Sequence, residues 1–485
     1  MKTKYYFLVK VTFTLLLTVF LSACENRNKG EQEKNITIFF INDNHSQIDN
    51  FSKIKDIVDE AEEKGNVIIA SAGDMFSGNP IVDFYEEKGY PVIDLMNRIG
   101  FDLATLGNHE FDYGQEVLQD RIDQAEFAFI SANMISESPM LGQTPPDVTI
   151  SIGGLDITFV GVVETNGKPG AVIPSTHPGK LENLSFMNAA DILGEYADYK
   201  QEYDSDLLIL LSHLGHNCDG NETCDYTVAH NFPFFDAIIG GHSHSIQDTT
   251  INGVHIYQSG SYLNYLGKIS FTIEDGEILE EEFDLIDLDE HPYSNSEIQQ
   301  LIETYNSNPA FSEIIAYNDV LMTRNRTVGC FYTDALRIYT GSDMSIQNPG
   351  GIRSDLDEGD ISIMDIYRMD PFGNGLLRFE MSAGDIKKFL GETGSGFYYS
   401  GVKIETDSYG HIVISDGQGN AYTDSHVLSL AVNDYIPMVH EDYFPEPAED
   451  YKMTTADAMI AYLRNLSEPL HYESCNRYFR YEEQD

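Results

Sequence analysis

The sequence predicts a layered α/β protein in two parts, on three observations. Strand-like apolar runs alternate with stretches of helical spacing through residues 35–244, which predicts a sheet buried between helices. At 485 residues the chain exceeds one small core, so two domains of ordinary size are expected. Near residue 275 the texture turns intensely acidic, and beyond it glycine and aromatic residues become more frequent. No repeat with a period of 20–50 residues is visible, which excludes a solenoid or propeller.

The elements follow in chain order. Lys2, Lys4 and Lys10 flank or enter the apolar run VTFTLLLTVFL, which ends at LSAC, residues 21–24. The run suits a secretory signal better than a permanent membrane span. LSAC resembles the bacterial lipobox, so residues 1–23 are expected to be a signal peptide and Cys24 the lipidated residue; an ordinary signal peptide with an incidental cysteine is the alternative. Residues 24–34 are polar and predict a tether. NITIFFIN then opens a strand ending at Asp43 and His45, and Phe51, Ile54, Ile57, Val58 and Ala61 recur at helical spacing. NVIIASAGD is a second buried strand, and LLILLSHLGH and FFDAIIGGHSH are later ones. The first domain is expected over residues 35–290. A linker over 291–315 contains a helix, SEIQQLIETYN, opened by a serine cap. The second domain is expected over 316–485, with NPGGIR, DPFGNG and VNDYIP as its distinctive stretches.

The charge balance narrows the function. The chain carries 29 basic and 79 acidic residues, a formal net charge of −50. Nucleic-acid binding needs a basic footprint and is excluded. Such acidity suits solubility at an exposed cell surface, and an anionic substrate would need local positive charge from metals or arginines. Besides Cys24, four cysteines remain. Cys218 and Cys224 lie six residues apart in a polar loop and predict a local disulfide, with metal binding by the pair the less favoured alternative. Cys330 and Cys475 either pair or stay free.

Five apolar runs of the first domain each end in metal-type ligands. They are Asp43 with His45, then Asp74, then Asn108, His109 and Asp112 in GNHEFD, then His213, then His242 with His244. In open α/β sheets, sites form at the carboxyl ends of strands, so these five ends would converge. Alternate residues of an extended DxH or HxH point to one side, and a carboxylate such as Asp74 can bridge two cations. Imidazole, carboxylate and amide ligands without thiolate suit two divalent ions, zinc or manganese, with iron or magnesium as further options.

As a set, the DNH, GD, GNHE, SH and GHSH segments resemble the calcineurin-like metallophosphoesterases. The extended GNHEFDYG, with NPGGIR and DPFGN, resembles the secreted 5′-nucleotidase family in particular, over residues 35–450. The resemblance implies a four-layer α/β/β/α metallophosphoesterase domain followed by a smaller α/β substrate-binding domain, with rotation of one against the other. It assigns Asp43, His45 and His244 to one metal, Asn108, His213 and His242 to the other, and Asp74 to both. His109 would be catalytic, stabilising the transferring phosphoryl group, with Asp112 orienting it; Glu110 and Phe111 receive no role. Arg353 would hold phosphate, with Arg324 or Arg326 as a second phosphate arginine. Asn348 would face the base, and Phe372 and Tyr435 would stack on it.

The implied activity is a lipid-anchored envelope 5′-nucleotidase that hydrolyses nucleoside 5′-monophosphates through a metal-bridging hydroxide. A UDP-sugar or 2′,3′-cyclic nucleotide hydrolase is the alternative, and a non-catalytic surface binding protein the remote one. The substrate is a small nucleotide, and membrane contact is through the lipid only. Two departures stand out: Pro349 replaces the first glycine of the family's NGGGIR, and GGDGY is missing after the second aromatic, leaving Glu441 or Asp442 as the acid for ribose.

Overall fold

A computed structural model describes residues 33–218, 223–274 and 276–481. The signal peptide, Cys24 and most of the tether lie outside the described residues.

The strand Lys34–Ile41 explains the architecture of the first half. Its side chains alternate faces, as a strand's must. Ile36, Ile38 and Phe40 enter one core, while Phe39 and Ile41 enter another. A strand buried on both faces reads as a continuous apolar run, which is why NITIFFI lacks polar alternation. Lys34–Ile41, Asn66–Ser71, Leu103–Thr105 and Ala128–Ile130 pair in parallel, with Ile38 beside Ile68. The hairpin Tyr265–Glu274 and Glu277–Asp287 completes this six-stranded sheet. A second six-stranded sheet has Leu155–Val163, Leu207–His213, Ala237–Ile239 and Val254–Ser259 in parallel at its centre. Asp147–Ile152 and Ile246–Ile251 close its edges in antiparallel pairing.

The two sheets face each other across a core built from Ile36, Ile38, Phe40 and Ile68 on one side and Phe159, Ile209, Leu211 and Ile239 on the other. Helices Phe51–Glu62, Tyr90–Ile99 and Gln115–Gln124 cover the outer face of the first sheet. The short helices Ala189–Ile192 and Asp225–Asn231 cover that of the second. The order is therefore α/β/β/α, as the resemblance implies. The acidic strand Glu277–Asp287 lies at a sheet edge, where charge discourages pairing with another chain.

Helix Ser296–Asn306 does not hang between domains. Ile298, Ile302 and Tyr305 pack into the helical layer of the first half, and Ser52 donates to Gln299 at 2.8 Å. Its cap is Asn295 rather than the expected serine: the Asn295 amide oxygen accepts from the N–H groups of Glu297 and Ile298. A third six-stranded sheet, centred on Val427–Asn433 and Met344–Gln347, organises the second half. Helices Thr327–Thr340, Ile363–Met369 and Thr455–Arg464 cover one face, and Ala383–Glu392 covers the other. Both cysteine pairs are joined, Cys218 to Cys224 and Cys330 to Cys475.

Candidate metal centre and interdomain cleft

The five strand ends do converge. Beyond the first sheet, the chain reverses at Asp43 and His45 after Lys34–Ile41, and at Asp74 after Asn66–Ser71. Asp43, His45, Asp74, His242 and His244 all take positive φ, between 45° and 73°. Such backbone costs about 1–3 kcal/mol per non-glycine residue and persists only where the surroundings enforce it. Here five of the seven expected ligands adopt it. The strained turns fold each ligand back over the end of its strand.

The resulting cluster is tight and almost fully buried. His213 Nε2 lies 3.1 Å from Asp74 Oδ2 and 3.9 Å from Asp43 Oδ1. His244 Nε2 is 3.5 Å from Asp43 Oδ1 and 2.8 Å from His45 Nε2. His242 Nδ1 is 3.0 Å from the amide oxygen of Asn108. Donor atoms of Asp43, His45 and His244 form one group able to hold an ion, those of Asp74, His213 and His242 form another, and those of His45, Asp74 and His109 form a third. The first two groups contain residues that the resemblance assigns to one ion each, and Asn108 lies beside the second.

Three observations test whether the donor set fits divalent cations. His213 Nδ1 faces the Ala72 carbonyl at 2.6 Å and His45 Nδ1 faces the Ser77 carbonyl at 3.0 Å. Each imidazole therefore donates outward, and its Nε2 lone pair points into the cluster, the usual arrangement of ligating histidines. The Nε2 atoms of His45 and His244 lie 2.8 Å apart, within reach of one ion. Asn108 donates through Nδ2 to Ser175 O at 3.0 Å, which turns its oxygen inward. The residues fit a pair of divalent ions.

His109 stands beside this cluster, in the third group but outside the two sets that the resemblance assigns to the ions. Its Nδ1 is 2.6 Å from Asp112 Oδ2, and its Nε2 is 3.8 Å from Asp74 Oδ2. The 3₁₀ turn His109–Phe111 brings the two residues to one side. Burial opposes protonation of His109, but the charges of Asp74 and Asp112 raise its pKa above the usual imidazole range. Burial would likewise raise Asp112, yet the His109 charge and hydrogen bond hold it below the ordinary carboxylate value.

The sequence left several supporting residues unread. Glu110 accepts the backbone N–H groups of Asp74 (2.9 Å), Met75 (2.6 Å) and Gly107 (2.5 Å), tying two ligand loops together. Asp83 accepts from Ser46 Oγ, Gly78 N and the Tyr113 hydroxyl, fixing the turn after His45. Glu164 accepts from Asn166 and Ser175, shaping the loop that follows Leu155–Val163. That loop supplies Thr176, whose hydroxyl donates to Asp112 Oδ1 at 2.7 Å, and Lys180, which donates to Asp112 O. Only the GNHE context singled out Glu110 in sequence; the 164–180 loop carries no recognisable motif.

The second half closes over the centre. His109, Asp112, Asn348, Arg353, Phe372 and Tyr435 line one cleft with the ligand cluster. Arg353 Nη2 is 3.2 Å from His45 Nε2. Phe372 stacks on His109, with centroids 5.6 Å apart and planes 17° apart, and the Arg353 guanidinium is 5.7 Å from its centroid. The ring expected to receive a base is thus committed to the imidazole in this arrangement. The two other arginines are not brought in. Arg324 is exposed, bonding through Nη1 to Arg353 O at 3.4 Å, and Arg326 lines a separate cleft beside Cys475. Glu441 pairs with Lys168 at 3.1 Å, and neither it nor Asp442 lines the main cleft.

Comparison with known proteins agrees with this geometry. Residues 36–245 match the calcineurin-like phosphoesterase family, and residues 312–454 match the 5′-nucleotidase C-terminal domain. Endonuclease YhcR of Bacillus subtilis is 26% identical over 84% of this chain, which spans only 36% of that protein. Protein UshA of Escherichia coli is 26% identical over 77% of this chain and 79% of its own length. The crystal structure of a 5′-nucleotidase precursor from Thermus thermophilus superposes with a TM-score of 0.75 at 19% identity, covering 89% of this chain and 96% of that one.

Proposed function

Because this chain belongs to the 5′-nucleotidase family of calcineurin-like metallophosphoesterases, we propose that it is a metal-dependent phosphohydrolase whose preferred substrates are nucleoside 5′-monophosphates. One observation carries the reading: a cation-binding cluster from five strand ends shares a cleft with His109 and with an arginine delivered by the other domain. Two divalent ions, when bound by Asp43, His45 and His244 and by Asn108, His213 and His242 with Asp74 between, supply Lewis acidity and an ionised water nucleophile.

The protein's own groups do the rest. Arg353 offers a planar fork to the phosphate oxygens, a geometry lysine cannot reproduce. His109, held protonated by Asp112, stabilises charge developing on the phosphoryl group. Asp112 is a positioning residue, gripped in turn by Thr176 and Lys180. Asn348, Phe372 and Tyr435 take the nucleoside. For Phe372 to receive a base its ring has to leave His109, which fits a rotation of the second domain. Base stacking on an aromatic is worth about 1–3 kcal/mol.

The protein acts at the bacterial envelope, tethered by a lipid on Cys24. The lipobox and the two disulfides, which persist in oxidising compartments, support this placement. No helix among the described residues is long and apolar enough to cross a membrane. The test is a substrate panel at fixed manganese or zinc: AMP, ADP, ATP, UDP-glucose, 2′,3′-cyclic AMP and p-nitrophenyl phosphate. The highest kcat/KM is expected for AMP. Preference for UDP-glucose or the cyclic nucleotide would transfer the assignment to that class.

A further inference from the structure

A second cleft shares Arg353 with the candidate centre and is also lined by Tyr262, Ser354 and Arg368. We propose that it is a second anion-binding subsite, which takes one phosphate group through the Arg353 and Arg368 guanidiniums and the Tyr262 hydroxyl.

The charge pattern is the first argument. In a chain of net charge −50, arginines find carboxylates easily, as Arg98, Arg378, Arg464 and Arg477 do. Among the described residues Arg353 and Arg368 form no ion pair. The two carboxylates that line the same cleft are already engaged: Asp49 accepts from Asn306 at 2.8 Å, and Asp289 accepts from Asn50 at 3.3 Å and lies 3.9 Å from Lys53 Nζ. The Arg353 N–H bonds to Met369 O at 2.9 Å, which keeps its segment against the end of the helix carrying Arg368.

Tyr262 is the second argument. Its backbone has φ of 58°, strained for a tyrosine, and its N–H donates to Asp43 O at 2.8 Å. Its ring lies 5.3 Å from that of His45 and 5.4 Å from that of His244. The hydroxyl at the end of this held ring is buried without a hydrogen-bond partner. A buried donor left unpaired costs about 1–3 kcal/mol, and an anion in the cleft would satisfy it. Two guanidiniums without a carboxylate partner, beside a hydroxyl without any hydrogen-bond partner, favour an oxyanion in the cleft.

Two sources of that phosphate are chemically equivalent here: orthophosphate released by the reaction, and the second phosphate of a nucleoside diphosphate. The inference rests on the phosphohydrolase reading above. The experiment uses the full chain with its metals, p-nitrophenyl phosphate as reporter, and the variants Arg368→Gln and Tyr262→Phe. Arg368→Gln is expected to leave kcat and KM for p-nitrophenyl phosphate within about twofold. In both variants the inhibition constant of orthophosphate should rise at least threefold. If the KM for ADP rises equally while that for AMP stays, the substrate's second phosphate also uses the subsite; if only the orthophosphate constant moves, the subsite serves the free ion. Tyr262→Phe alters no charge, so a long-range field effect would leave it silent. A shift in Arg368→Gln alone, or in neither variant, overturns the subsite while turnover persists. Absence of turnover on any phosphoester would instead overturn the reading beneath it.

Discussion

Asp112→Asn isolates one charge in the candidate site. Asparagine keeps the size of the side chain and leaves an oxygen for Thr176, which now donates to Asp112 Oδ1 at 2.7 Å. What it removes is the charged partner 2.6 Å from His109 Nδ1. A hydrogen bond involving a charged group is worth about 1.5–3 kcal/mol. At about 1.4 kcal/mol per tenfold in rate, kcat should fall roughly 10- to 150-fold. The assay is steady-state hydrolysis of AMP, with bound metal measured on the same preparation. Metal content should stay at the wild-type value, because His109 and Asp112 lie outside the two ligand sets. If Asp112 acts only through His109, the double variant His109→Ala/Asp112→Asn should be no slower than His109→Ala alone. Full additivity of the two losses, or parallel loss of metal, would refute the assignment.

The other predictions concern the frame and the nucleoside pocket. A Cβ on Gly107 would sit 2.6 Å from Asp74 N and 2.9 Å from His213 Nε2, so Gly107→Ala should lose bound metal while retaining the circular dichroism of the fold. Glu110→Ala strands three buried N–H donors; at about 1–3 kcal/mol each it should lower stability by about 3 kcal/mol or more, read as the midpoint of urea unfolding. Phe372→Ala should raise KM for AMP far more than KM for p-nitrophenyl phosphate. Equal changes would refute base stacking.

The positions of the strands and the converging ligands were legible because both leave periodic or spaced marks. Ile36, Ile38 and Phe40 on one face with Phe39 and Ile41 on the other write a doubly buried strand into seven letters. Asp43, Asp74, Asn108, His213 and His242 each follow such a run, and the end of a strand is where a parallel sheet exposes ligands. The left-handed backbone at Asp43 and His242 was not legible, since positive φ in sequence is ordinarily signalled by glycine. Tertiary hydrogen bonds were equally invisible: Thr176 reaches Asp112 across 64 positions, and Glu110 reaches Asp74 across 36. The stacking of Phe372 on His109 joins two domains, and its motif names the ring without saying what the ring rests on.

The central claim is that strand ends of the first domain hold two catalytic divalent ions. Metal analysis of the purified full chain, coupled to AMP turnover before and after chelation, tests it directly. The account predicts about two divalent ions per chain, loss of activity with their removal, and recovery on adding manganese or zinc. A protein that binds no divalent ion tightly, or that hydrolyses AMP equally well after complete chelation, would contradict it.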